Sequence, residues 1–129
     1  MTNKNHIKFC LLVLVTLSSL SGAQTSYSQT ATENSRLIIS FHSRASGIDG
    51  RAKREIDKFI SSYGKEKGVQ LAKEVVRWGK EGELDYCFKL SEISEEDQKN
   101  FVSRIEVLVR NSDRTRMQEN APCRNKRPN

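Results

Sequence analysis

The chain has few of the residues that build metal and redox sites. Its 129 residues include three cysteines and two histidines, and no cysteine pair has C-x-x-C spacing. A structural zinc site needs about four such ligands at characteristic spacing. Glycine-rich phosphate-binding and dinucleotide-binding fingerprints are also missing from the sequence. We therefore expect no metal and no cofactor, and no motif specifies a reaction.

Apolar residues form no run of the roughly 20 residues that a bilayer-spanning helix requires. The longest run, Phe9 to Leu20, follows the positively charged Lys4 and Lys8 and precedes small residues that end at Ala23. This order is typical of a secretory signal peptide. The sequence thus predicts a signal peptide at residues 1–23, export to the periplasm or the medium, and no membrane span.

The balance of charge excludes one class of partner. The formal charge is +6, and loss of Lys4 and Lys8 with the signal peptide would lower it to +4. Three further basic residues lie in the tail at residues 124–129. The region between is nearly balanced and lacks the basic footprint of a nucleic-acid-binding domain. We expect no nucleic acid as a partner.

Apolar periodicity predicts one domain at residues 36–123, behind a flexible Ser/Thr-rich lead at residues 24–35. Its order is strand, helix, strand, strand, helix, strand. The first strand is expected from Arg36, the second over 72–78, the third around Cys87 and the fourth over 114–120 with Met117 inward. The first helix is expected to be capped by Ser46 and ended by Gly64. The second helix is expected to be capped by Ser94 and ended by Asn111. Residues 69–75 stay open between strand and helix.

This order predicts an α+β fold, the ferredoxin-like βαββαβ sandwich, with both helices on one face of an antiparallel sheet. The expected strand order is 4-1-3-2, with the first and third strands parallel. The topology resembles that of acylphosphatase, whose glycine-rich, arginine-bearing loop lies where "HSRASGID" lies here. It also resembles the RNA-recognition motif, whose stacked aromatics have the spacing of Tyr86 and Phe88. Our register points these two side chains into the core.

The hairpin loop "GKEGE" predicts a type I turn followed by Gly82 as a G1 bulge, which fixes the pairing of the two strands. The predicted pairs are Trp78 with Leu84, Val76 with Tyr86, and Glu74 with Phe88. Val75 and Arg77 would then lie on the face away from the helices, which we call the second face. We expect this face to be open to solvent.

Two cysteines, Cys87 and Cys123, remain after export. Exported domains usually pair their cysteines. Residues 120–122 supply roughly the 10 Å needed to cross one neighbouring strand. We therefore predict a Cys87–Cys123 disulfide. A reactive Cys87 thiol with His42 as its base stays open as the alternative.

The loop at residues 42–51 is the best candidate for binding. It joins a central strand to a helix N-terminus, where backbone N–H groups and two cations could bind an anion. The candidate residues are His42, Arg44, Ser46, Gly47 and Arg51. In the simpler interpretation the loop is only a turn with solvated arginines.

Three functions follow from these features, and the first is preferred. The first is a non-enzymatic exported module that binds a protein partner or a small anion through the loop and the second face. The second is a small hydrolase or phosphatase with Arg44 as anion clamp and His42 or Asp85 as base. The third is an assembly protein whose edge strand pairs between copies.

Overall fold

The computed structural model describes residues 33–124 as two helices over one side of a four-stranded antiparallel sheet. The predicted signal peptide, most of the predicted lead and most of the basic tail lie outside the described residues. The elements are β1 (Asn34–Phe41), α1 (Gly50–Lys67), β2 (Glu74–Arg77), β3 (Leu84–Phe88), α2 (Glu95–Arg110) and β4 (Thr115–Pro122). The sheet order β2-β3-β1-β4 confirms the ferredoxin-like sandwich and its expected strand order. Within residues 33–124, neither helix is long and apolar enough to cross a membrane.

The core fills the space between the helices and the inner face of the sheet. Phe41, Phe88 and Phe101 are fully buried there, and the ring of Phe101 packs edge-on against that of Tyr63, with centroids 5.2 Å apart. The Tyr63 hydroxyl donates to the Asp97 carbonyl at 2.8 Å, so this buried polar group is satisfied. Apolar burial and a satisfied hydroxyl together fix α1 against α2.

The relative direction of two strands differs from our expectation. β1 and β3 are antiparallel, with Ile38 opposite Cys87, so the expected parallel pairing was wrong. The α1 crossover makes β2 run parallel to β1, and the hairpin then reverses β3. As a result β3 ends where β1 begins.

The register of the β2–β3 hairpin is also shifted by one residue from the predicted one. The observed pairs are Glu74 with Cys87, Val75 with Tyr86, Val76 with Asp85, and Arg77 with Leu84. The Trp78 backbone N–H donates to the Glu83 carbonyl at 3.2 Å. Gly82 does take a positive φ of 92°, but the loop does not form the tight bulge that we predicted.

Burial explains why this register is preferred. A one-residue slip exchanges the two faces of a strand. In the observed register Val76 is 1% exposed and packs on the second face with Ile38 and Cys87. Val75 and Arg77 consequently share the helix side with Tyr86 and Leu84, which they oppose, and are not on the second face as predicted. β2 confirms the strand interpretation of this region, over a shorter span.

Both ends of α1 differ from the prediction. Its N-cap is Asp49 and not Ser46, because the Asp49 carboxylate accepts from the backbone N–H groups of Arg51 and Ala52. Its C-terminal cap is Gly68, in the left-handed region at φ 69°, and not Gly64. α2 begins after Ser94 and ends at Asn111, as predicted.

Gly64 has a different role inside the helix. The chain folds back over α1 after Gly68, and a Cβ on Gly64 would come 2.7 Å from the Val69 carbonyl oxygen. The Val69 N–H donates to the Gly64 carbonyl at 2.9 Å, which holds this close approach. Gly64 therefore allows the return segment to pack directly on the helix.

We predict that Gly64→Ala destabilises the protein by about 1–3 kcal/mol, the usual cost of overpacking. At an exposed helix position a Gly→Ala change would stabilise the protein by up to about 1 kcal/mol. The sign of the change in unfolding free energy therefore distinguishes a close contact from an open position. Urea unfolding measures it, with the exposed helical Ser62→Ala as control. A Gly64→Ala protein as stable as the wild type would contradict the close contact.

Candidate functional site

A disulfide joins Cys87 to Cys123, with Cα atoms 6.0 Å apart and a sequence separation of 36. This is the predicted pairing, but the strand directions that bring the two cysteines together differ from those we expected. Because β1 and β3 are antiparallel, Cys87 lies near the end of β3, beside the start of β1. β4 ends at this same edge, where Pro122 pairs with Asn34. The bond therefore ties the tail to the second face.

A small separate core closes the second face at the end of the sheet where the disulfide lies. Its buried members are Ile38, Val76, Cys87 and Ala121, with Cys123 packed against them. All four are 6% exposed or less. The expected open face is thus only partly open: the disulfide-linked tail covers this end, whereas Arg116 and Gln118, which pair with Ser40 and Ile38, are exposed.

Asp85 is a buried carboxylate on this face. Its side chain is 3% exposed, and it accepts from the Trp78 indole N–H at 2.8 Å and from Arg124 Nε at 3.1 Å. The Arg124 guanidinium also lies 4.3 Å from the centroid of the Trp78 ring. We call Trp78, Asp85 and Arg124 the tail clasp. Each carboxylate oxygen of Asp85 accepts one of these two hydrogen bonds.

Both candidate arginines of the loop at residues 42–51 form ion pairs within the protein. Arg44 pairs with Asp113 at 2.7 Å, and Arg51 pairs with Glu55 at 3.0 Å. His42 packs its ring edge-on against another aromatic ring, that of Trp78. Each candidate arginine thus already faces a carboxylate.

The helix N-terminus behind the loop is likewise occupied. Asp49 accepts from the N–H groups of Arg51 and Ala52 at 3.0 Å and from the Ser112 hydroxyl at 2.9 Å. The backbone bond from Ala52, followed by that from Ser112, lowers the pKa of Asp49 below its ordinary value. The donors that we predicted for a ligand therefore hold a carboxylate of the protein itself.

The loop is nevertheless firmly held. Arg114 donates to the Gly47 carbonyl at 3.1 Å, and Ser43 donates to the Glu83 carboxylate from the hairpin. Gly47 has a φ of 87°, and Ala45 takes a φ of 53°, a conformation that non-glycine residues adopt at some cost. Such strained backbone persists only where its surroundings fix it.

A second candidate site, which the sequence analysis missed, lies between α1 and the segment that returns from it. Asp57 accepts from the Lys53 ammonium at 2.7 Å, from the Tyr86 hydroxyl at 2.9 Å and from the Lys73 ammonium at 3.2 Å. These four residues line a cavity of about 500 Å³, which we call the lysine groove. Lys73 also lies 3.9 Å from the centroid of the Tyr86 ring.

The protonation of the lysine groove follows from these contacts. Burial acts to raise the pKa of Asp57, but the hydrogen bonds from Lys53, Tyr86 and Lys73 outweigh it, and the pKa is lowered. Burial acts to lower the pKa of Lys53, but its bond to Asp57 and its contact with Tyr86 leave it raised. Asp57 and Lys53 are both charged at neutral pH.

Only part of the lysine groove had a signal in the sequence. Lys53 and Asp57 have the i,i+4 spacing of a helical ion pair. Lys73 comes from the segment whose structure stayed open, and Tyr86 had been assigned to the core. The sequence pattern did not indicate that these four residues would lie together in the fold.

Comparisons with known proteins identify no relative: no family model matches the chain, and neither the curated proteins nor the solved structures contain a match. Among residues 33–124, no three His, Cys, Asp or Glu side chains are grouped so that they could hold a metal ion. Function must therefore be inferred from the sites themselves.

Asp49 predicts a pH dependence of stability. Its pKa is lowered on folding, so the native state binds fewer protons and the stabilisation is complete only above the unfolded value of about 3.9. It is lost as the pH falls through the lower folded value. Asp49→Asn keeps a good N-cap but should flatten the loss of stability between about pH 5 and pH 2. Urea unfolding across that range tests this, and an unchanged acid slope would contradict it.

The tail clasp predicts energetic coupling between residues distant in sequence. Arg124→Gln should destabilise the oxidised protein by about 1–2 kcal/mol, since it leaves a buried carboxylate short of a donor. In the Asp85→Asn background, Arg124→Gln should lower the free energy of unfolding much less. The double-mutant cycle should therefore give a coupling energy of about 1 kcal/mol. Arg116→Gln, an exposed arginine on β4, is the control. Strict additivity would show that Arg124 and Asp85 are not coupled.

Proposed function

We propose that this chain is an exported, non-enzymatic module that recognises a protein partner through the loop at residues 42–51. The observation that carries the proposal is the combination of a fixed backbone with exposed cations. Arg114 and Ser43 anchor the loop, while Arg44 keeps 66% of its side chain exposed. A preorganised loop loses little conformational entropy on binding.

Export is supported by the cysteines. The signal-peptide pattern lies outside the described residues, so it remains a prediction. The Cys87–Cys123 bond is consistent with it, because disulfides persist in oxidising compartments and are rare in the cytosol.

A protein partner suits the loop better than a small anion. The Arg44–Asp113 and Arg51–Glu55 pairs are largely exposed. Exposed pairs contribute only about 0–1 kcal/mol, so they can exchange partners at little cost. A surface that presents both charges is suited to complementary charges across an interface. A lone anion would have to compete with Asp113, Glu55 and the capping Asp49.

The other two functions have weaker support. A hydrolase would need a free base beside Arg44, whereas Asp85 is engaged in the tail clasp and His42 packs on Trp78. Pairing of copies through an edge strand remains a hypothesis without a specific contact in its favour.

We predict that Arg44→Ala with Arg51→Ala weakens binding to the partner at least about tenfold, the loss expected for interface arginines. The melting temperature should change little, because exposed ion pairs contribute little to stability. The experiment captures partners from the exported fraction with the oxidised protein and then titrates the identified partner against each variant.

Arg110→Ala is the matched control for this experiment. Arg110 also forms an exposed i,i+4 pair, with Glu106 at 2.5 Å, on a different helix. Equal loss in the control and the double variant would indicate a nonspecific charge effect. Full binding by the double variant would place the interface elsewhere.

A further inference from the structure

The lysine groove holds more positive charge than its carboxylate neutralises. Lys53 and Lys73 both bond to Asp57, so two ammonium groups share one negative charge. All three side chains are partly withdrawn from water, at 29%, 29% and 34% exposed. Partial burial strengthens the field that this excess charge produces.

The two lysines also retain unused hydrogen-bond donors. An ammonium group has three N–H donors. Lys53 and Lys73 each give one bond to Asp57, at 2.7 and 3.2 Å. In the described part of the chain neither lysine has a second carboxylate partner. Several N–H groups at the groove thus remain for an acceptor from outside the protein.

The adjoining face of α1 adds to the positive field. Arg54, Lys58 and Lys65 are exposed there and form no ion pair within residues 33–124. The other carboxylates of α1 are already taken, since Glu55 pairs with Arg51 and Glu66 with Arg104. The face around the groove therefore carries several cations that no carboxylate of α1 neutralises.

We infer that the lysine groove binds a phosphate group, with Lys53 and Lys73 as its donors. A phosphate monoester carries nearly two negative charges and three acceptor oxygens at neutral pH, which match the excess charge and the spare donors. Lysine binds phosphate as a point charge and needs no planar geometry. The apolar Ile60, Val69 and Leu71 line the same cavity and could contact a small organic group attached to the phosphate.

This site is separate from the proposed partner surface. None of the residues that line the groove belongs to the loop at residues 42–51. Failure of either inference would leave the other intact.

The first experiment titrates inorganic phosphate and glycerol phosphate into the oxidised protein at fixed ionic strength, by calorimetry. We expect saturable binding at one site. Lys53→Gln or Lys73→Gln should weaken it about tenfold or more, the loss typical of a charge-assisted hydrogen bond. Lys58→Gln removes the same charge from the same helix but not from the groove lining, and should change binding less than about threefold.

A second variant should change the phosphate affinity in the opposite direction. Asp57→Asn removes the negative charge inside the groove and should tighten phosphate binding several-fold, even if stability falls. A purely structural cluster would lose stability without any gain in affinity. No increase in Asp57→Asn, or equal losses in Lys58→Gln and Lys53→Gln, would overturn the inference.

A third measurement identifies the source of the phosphate. Vesicles of phosphatidylglycerol and of phosphatidylcholine are sedimented with the same proteins. A small phosphorylated ligand predicts calorimetric saturation without lysine-dependent sedimentation. A lipid headgroup predicts sedimentation with phosphatidylglycerol that Lys53→Gln abolishes. If neither free phosphate nor vesicles show a dependence on Lys53 and Lys73, the groove is no phosphate site.

Discussion

The bond between Cys87 and Cys123 is the constraint on which the second face of the sheet depends. In a two-layer sandwich the helices protect one side only, and the other side is normally polar. Here the bond holds the tail over Ile38 and Val76, which are 5% and 1% exposed. By restricting the unfolded chain, a disulfide of this span also stabilises a small domain by about 2–4 kcal/mol. A domain of fewer than 100 residues buries limited area, and this contribution is substantial for it.

The covered face in turn determines the hairpin and the polar contacts above it. Once the tail provides an apolar surface, β2 gains more from burying Val76 than from the tight bulge that its loop sequence favours. That register brings the Trp78 indole to Asp85, and the tail brings Arg124 to the same carboxylate. A buried carboxylate with two donors is tolerated where one with none would be costly. The tail clasp therefore depends on the disulfide, which holds the segment after β4 beside β3.

The sequence predicted the features that depend on local pattern. Apolar periodicity located all six elements, Ser94 and Asn111 marked the ends of α2, and the cysteine count indicated the pairing. The errors arose where tertiary contacts outweigh local preference. Glycine commonly ends a helix, yet Gly64 lies inside α1 because the returning chain packs too closely there for a Cβ. Ser46 is a residue type that often caps helices, but α1 begins at Gly50 and Asp49 caps it, while the Ser112 hydroxyl also donates to the Asp49 carboxylate. The lysine groove escaped detection because its four residues come from three separate segments.

The distribution of charge, more than its sum, distinguishes the two candidate sites. The domain is nearly balanced in composition, which argued against nucleic acid as a partner. In the folded chain the loop at residues 42–51 pairs its arginines one to one with carboxylates, whereas the lysine groove places two ammonium groups on Asp57. The first arrangement presents alternating charges on a rigid loop, as a protein interface does. The second leaves positive charge and free donors in a partly buried cavity, where an acceptor-rich anion is the natural complement. Two cations at each place thus produce two chemically different surfaces, because the fold gives the loop two carboxylates and the groove one.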